Sequence, residues 1–360
     1  MLSKIEQQHY HRQLILTEIG EIGQSKLKKA AVLVIGAGGL GSAILPYLTA
    51  AGVGQIGIMD HDIVTLSNLH RQILFTTEDV GKNKATTAAE KLKRLNPHIR
   101  IIPYAEAIHK ENAIQFISSY DIIVDGSDNF ATKYLVNDAA IICNKPIVFG
   151  SIFKFEGQVS VFNYQNGPTY RCLFPEPPSP EESPNCSEIG VLGVLPGIIG
   201  SIQANEVLKI ICGIGEVLNG KLLTLNCLTL QMDLFRFKKV NYRIPKSLNS
   251  RIYDCSSPNR NLEITFKQLV LLPSEYLLID VRTVNERQRL SIKSFLEVSS
   301  ELHIVLDELA DNLSSIPKNR HIIFYCQSGI RSLRAAQLYK AKFPLEKTSS
   351  LKGGLDSIIT

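Results

Sequence analysis

The stretch "FYCQSGIRSLRAA", residues 324–336, ends an apolar run on Cys326 and follows it with Gln327, Ser328, Gly329, Ile330 and Arg331 before a helical pattern begins. A thiol attacks as its thiolate, and a ring of hydrogen-bond donors around a sulfur favours that anion. Arg331 adds positive charge to the same loop. A cysteine at a strand end is more often core than catalytic, but the S-G-x-R-S that follows this one points to chemistry. A second constellation lies near the N-terminus. "GAGGLG" spaces Gly36, Gly38 and Gly41 as G-x-G-x-x-G between an apolar run and a helical pattern, a turn that lets backbone approach phosphates at a helix N-terminus. Asp60 ends the next apolar run, where an acid can bond ribose hydroxyls.

That glycine spacing alone serves NAD, FAD and ATP alike. The stretch "DHDIVTLSNLHRQILF", followed by "VGKNKA", separates them, because Asp62, Ser67, Asn68, Arg71 and Lys84 make a polar and cationic set suited to a triphosphate and to departing pyrophosphate. A nicotinamide enzyme needs no such clamp. Asp128 in "DGSDN", with Asn129 beside it, follows another strand end and offers an oxygen to Mg²⁺.

The elements that must position these groups alternate strand and helix from about residue 30 to 150, which predicts a mainly parallel sheet covered by helices. A polar helix is expected from about Lys82 to Leu95, a strand at "RIIPYA", a helix near 111–119 and a strand at "DIIVDGSDN". "SIFKFEGQVSVFNY" alternates polar and apolar residues, so the sheet is expected to turn mixed there. "FPEPPSPEESPN" is too rich in proline for a helix or central strand and reads as a mobile loop. A long apolar helix in "GVLGVLPGIIGSIQANEVLKIICGIG" and strands at "KLLTLNC" and "QMDLFRFKK" close a first domain, 1–240. Residues 241–261 read as a linker, and 262–360 as a smaller α/β domain with strands at "YLLIDVR" and "HIIFYC" and a helix from about 332 to 341.

Composition narrows the setting. The 360 residues carry 39 Lys and Arg against 34 Asp and Glu, a net charge of +5, with no basic run interleaved with aromatics of the kind that tracks nucleic acid. The sequence contains no apolar stretch of membrane-spanning length and no signal-peptide pattern, and its seven scattered cysteines suit a reducing compartment, so a cytoplasmic enzyme is expected.

From "YHRQLIL" to about residue 240 the chain resembles the MoeB/ThiF group of adenylyltransferases, relatives of the ubiquitin-activating enzymes, through "GAGGLGS", "SNLHRQ", "GKNKA", "DGSDN", "YRCLFPEPP" and "GVLGVLPGIIGSIQANEVLK". From about 262 onward it resembles a rhodanese domain, through "LLIDVRTVNE", "CQSGIRS" and "LKGGLDS". The combined fold class this implies is α/β, a Rossmann-like mixed sheet with helices on both faces followed by a smaller rhodanese-like domain. The resemblance implies ATP-dependent adenylation of the C-terminal glycine of a ubiquitin-like sulfur carrier, with Gly39 and Asp60 on the nucleotide, Asn68, Arg71 and Lys84 on phosphates and Asp128 on magnesium. It further implies a homodimer in which Arg12 reaches the partner's ATP, and sulfur passing through Cys326 from a cysteine desulfurase or another donor. Cys186 matches a position where some members bond the carrier covalently, and a loop cysteine without chemistry stays as the alternative. The carrier is expected to be of the MoaD type, serving molybdopterin, with a ThiS-type carrier for thiazole synthesis as the alternative. A structural zinc, common in the family, is expected to be missing: its first cysteine pair reads Thr169 and Cys172, and a second pair would need Cys255 and Pro258. The rhodanese half departs from its pattern after "DVRTVNERQ" and at the terminal turn, and both departures are expected to lie away from the reactive loop. An NAD-dependent oxidoreductase and a non-catalytic carrier-binding scaffold remain as distant rivals.

Overall fold

Ala31–Ile35 forms β1 because five apolar residues, three of them Val or Ile, suit a strand covered on both faces. In the computed structural model, which describes residues 2–177, 190–241, 248, 262–273, 275–296, 298 and 300–359, β1 is the centre of the first of two units, Met1–Cys255 and Ser256–Thr360. Cys186, most of the proline-rich loop and most of the expected linker, with Cys255, lie outside the described residues.

The first unit adds β2 (Gln55–Met59), β3 (Arg100–Tyr104), β4 (Ile122–Asp125), β5 (Ile147–Phe153), β6 (Glu156–Phe162), β7 (Lys221–Asn226) and β8 (Gln231–Arg236). The sheet order is β3-β2-β1-β4-β5-β6-β7-β8. Pairing is parallel from β3 through β5 and antiparallel from β5 onward, so the sheet turns mixed where the alternating pattern begins. One core cluster includes Val32, Val34 and Ile44, and another Leu33, Ile35 and Ile123, so alternate β1 side chains feed different cores.

Helix Gly39–Ala51 follows β1 and stops at Gly52, which is left-handed at φ 84°. The polar helix starts at Lys84, two residues later than expected, because the Asn83 side chain accepts from Thr86 N–H and caps it. The long apolar helix runs Leu195–Cys212 and packs on Gly39–Ala51, where Gly200 lets it approach the Leu40 carbonyl closely.

The second unit is a five-stranded parallel sheet ordered β11-β10-β12-β13-β9, with β9 at Glu263–Ile264, β10 at Tyr276–Asp280, β11 at Glu301–His303, β12 at His321–Tyr325 and β13 at Thr348–Leu351. Its deepest charge pair among the described residues is Asp280 with Arg282, both fully buried. Asp280 accepts from the Arg282 backbone N–H at 3.0 Å, from its Nε at 2.9 Å and Nη2 at 2.8 Å, and from the Tyr325 hydroxyl at 3.0 Å. Such a pair is costly to break from one side, since the survivor stays charged and dry. Asp280→Ala is expected to lower the stability of this unit by about 3–5 kcal/mol, read as an earlier urea transition in the full chain.

Candidate functional site

Two places in the fold gather the predicted residues. At the first, β1 pairs in parallel with β2 on one side and β4 on the other, so the chain leaving β1 and the chain leaving β4 emerge side by side at one rim. Gly36, at φ 93°, turns the first of these loops, and a Cβ there would lie 2.8 Å from the Gly126 carbonyl oxygen in "DGSDN". The two loops therefore touch.

Asp60, at the end of β2, ties this rim together. Its Oδ2 accepts from Ala37 N–H at 2.8 Å within the glycine turn, and its Oδ1 from Asp62 N–H at 2.9 Å. Burial pushes its carboxyl up, while Lys84 and those two N–H groups favour the carboxylate. Asp60 thus holds the loop as well as facing the rim. Lys84 is buried and donates to Asp62 at 2.9 Å, so two residues expected on phosphates are bonded to each other. Arg71 lies across the turn: a Cβ on Gly39 would sit 3.9 Å from its Cδ, and its Nη1 donates to the Ser67 carbonyl at 3.2 Å. Asn68 supports this segment by accepting the Arg71 and Gln72 N–H groups on its carbonyl. Asp128 is exposed beyond β4, and the Asn129 side chain caps the helix Phe130–Ile142. Arg12 is exposed on the short helix His11–Leu14.

Three residues at or behind this rim escaped the sequence reading. Gln72 is buried with Nε2 facing Gly38, and its Oε1 has no partner among the described residues. Its place beside Arg71 in "SNLHRQ" was the available signal. Lys133 is buried between Asp125 at 3.4 Å and the Gly150 carbonyl at 3.0 Å, and only the fold brings those groups together. Gln203 donates to the Asp125 carbonyl at 3.0 Å from the long apolar helix.

The expected zinc position holds one thiol and one hydroxyl among the described residues. The Cys172 sulfur accepts from the N–H groups of Thr169 and Val240, both at 3.4 Å. Thr169 supplies no thiolate, so the first half of a four-thiolate site does not fit the metal. Cys255 and Pro258 lie outside the described residues.

The second place is the loop after β12. Cys326 is fully buried, and its sulfur accepts from Gly329 N–H at 3.1 Å and Ser332 N–H at 3.4 Å. Helix Ile330–Lys342 starts there, with its N-terminal dipole directed at the sulfur's loop. Gly329 must be glycine: it is left-handed at φ 87°, and a Cβ would lie 2.6 Å from Gly353 N. The Arg331 guanidinium is paired with Glu286, with Nη1 at 2.9 Å from the carboxylate. That contact holds the Glu286 carboxyl down at about 2.

The expectation that both pattern departures lie away from the loop needs correction. Leu355 N–H donates to the Cys326 carbonyl at 3.0 Å and Asp356 N–H to that of Gln327 at 2.9 Å, so the terminal turn is a wall of the site. In parallel pairing β13 runs beside β12 and delivers its turn to the same rim.

These geometries define a Rossmann-like nucleotide rim and, in a separate unit, an N–H-lined thiol. Residues 10–246 match the ThiF family and residues 265–360 the rhodanese-like domain. The chain belongs to the ThiF family and carries a C-terminal rhodanese-like domain, the architecture of an adenylyltransferase joined to a sulfurtransferase. It is 39% identical over 372 residues to a protein named probable adenylyltransferase/sulfurtransferase MoeZ from Mycobacterium tuberculosis, covering 98% of this chain and 93% of that one. It is 52% identical over 231 residues to a sulfur carrier protein adenylyltransferase from Thermus thermophilus, covering 63% and 85%. A crystal structure of E. coli MccB with AMPCPP and MccA superposes with a TM-score of 0.55 at 22% identity over 62% of this chain and 68% of that one, a likeness of fold. No helix among the described residues is long and apolar enough to cross a membrane.

His321 opens β12, the strand that ends at Cys326, and its Nε2 lies 2.8 Å from the Ser349 hydroxyl. Burial, with Lys347 nearby, pushes its imidazole down to about 4. The unfolded chain therefore takes up this proton first, near the ordinary value of 6.5, and the folded chain only near 4. Stability is full above that window and is lost as pH falls through it. His321→Gln should flatten the fall, measured as urea midpoints of the second unit across pH 7 to 4.

Proposed function

We propose that this enzyme adenylates the C-terminal glycine of a ubiquitin-like sulfur carrier, of the MoaD type, and converts it to a thiocarboxylate with sulfur carried on Cys326. The observation that carries the reading is the Cys326 sulfur, enclosed by N–H donors in the same chain as a cationic nucleotide rim. A carrier carboxylate oxygen attacks the α-phosphorus of ATP, and the bond to pyrophosphate breaks. Arg71 and Lys84 balance the charge of the departing group. Asp128 offers an exposed hard oxygen suited to Mg²⁺, which when bound neutralises phosphate charge.

The Cys326 thiolate takes sulfane sulfur from a donor persulfide such as that of a cysteine desulfurase, whose own sulfur leaves as a thiolate. The resulting persulfide attacks the acyl adenylate and expels AMP. This leaves an acyl disulfide, whose S–S bond Cys186 opens by thiolate attack on the Cys326 sulfur, releasing the thiocarboxylate and leaving a disulfide for an external thiol to reduce. Arg12 acts across a homodimer on the partner's nucleotide, and the protein works in the cytoplasm.

Cys326→Ala should still exchange pyrophosphate into ATP when carrier is present, yet yield no thiocarboxylate by mass spectrometry. Undiminished thiocarboxylate with a persulfide donor would overturn the assignment. Purified protein offered each carrier separately should consume ATP with the MoaD type. Turnover with a ThiS-type carrier alone would move the pathway to thiazole synthesis.

A further inference from the structure

The sulfur of Cys326 is backed by two enclosed hydroxyls that the steps above leave unused. Ser332 and Ser350 are both fully buried, the second on β13. The Ser332 hydroxyl donates to the Gly329 carbonyl at 3.0 Å, and the Cys326 thiol faces Ser332 Oγ at 3.5 Å. Ser350 Oγ lies 2.8 Å from Ser332 Oγ and 3.5 Å from the same Gly329 carbonyl. Its neighbours on β13 face elsewhere, with the Thr348 hydroxyl on the Ile322 carbonyl and that of Ser349 on His321.

Counting donors shows what the second hydroxyl adds. A protonated sulfur gives its hydrogen to Ser332 Oγ, and Ser332 gives its own to the Gly329 carbonyl. An anionic sulfur has no hydrogen to give and one more bond to accept. Ser332 is free to turn its hydrogen onto the sulfur, because the Gly329 carbonyl it leaves still accepts the Leu333 N–H at 3.1 Å. Ser350 donates to the Ser332 oxygen, so the Ser332 hydrogen has only the carbonyl and the sulfur to turn to.

We propose that Ser350 is a positioning residue for sulfur transfer: by donating to Ser332 Oγ it holds the Ser332 hydroxyl so that its hydrogen can turn from the Gly329 carbonyl onto the anionic sulfur of Cys326. Only hydroxyl rotations occur within the protein, and the thiol proton passes to buffer. The charged groups at the loop, the Arg331–Glu286 pair and Asp356 bonded to Gln327, stay in place throughout.

The test is the rate at which iodoacetamide labels Cys326 in the full chain, followed by peptide mass spectrometry from pH 6 to 10. Ser350→Ala should lower the rate at pH 7 by about 3- to 10-fold, the worth of one hydrogen bond, and leave the alkaline plateau unchanged. Ser350→Thr, which keeps the hydroxyl, should restore the neutral-pH rate. Ser332→Ala should slow labelling at least as much as Ser350→Ala, and the double variant should lose no more than Ser332→Ala alone. A Ser350→Ala profile that overlays wild type, a Ser350→Thr profile like that of alanine, additive losses in the double variant, or a wild-type Cys326 that stays unlabelled would each overturn the proposal. Should Ser350→Ala melt early, the Ser332→Ala and Ser350→Thr profiles decide the matter. The inference rests on Cys326 as the sulfur carrier. Thiocarboxylate formation by Cys326→Ala sinks that reading, whereas an unchanged Ser350→Ala profile sinks this one alone.

Discussion

A strand that pairs in parallel with neighbours on both sides forces the chain to return over the sheet each time, so every strand releases its C-terminal end at one rim. In the first unit β1 is that strand, with β2 and β4 beside it. In the second it is β10, with β11 and β12 beside it. The helices that cover the two faces send consecutive loops apart at this rim and leave a crevice where the strand order reverses. The contact of Gly36 with Gly126 and the bond of Arg331 to Glu286 are two products of the same constraint.

The rims treat charge differently. The first holds cations and acids in bonded sets, Lys84 with Asp62 and Lys133 with Asp125, and ties its glycine turn to a buried carboxylate. The second pairs Arg331 with Glu286 and surrounds its sulfur with neutral dipoles: two N–H groups, a helix start and a nearby hydroxyl. Such dipoles stabilise an anion on the sulfur they surround.

Much of the arrangement was legible because it is local. Strand and helix periodicity gave the βαβ order, the alternating run after "KPIVFG" located the antiparallel edge, and the residue types of "SNLHRQ" and "GKNKA" separated a phosphate grip from a nicotinamide site. The helix boundary near Lys84 moved because a single cap, Asn83, decides it. The partner of Arg331 was not legible because the acid that binds it, Glu286, comes 45 residues earlier.

By itself the sequence determined the two sheets and the residue types at their rims, since turn glycines, caps and apolar periodicity act within a few residues. Tertiary structure alone decided the partners. It bonded Asp60 to the glycine turn, buried Lys133 against Asp125, made the terminal turn a wall of the sulfur site and brought Ser350 onto Ser332. Each of those contacts joins strand ends or loops that parallel pairing places side by side, and no local pattern encodes which side chain a distant loop will present.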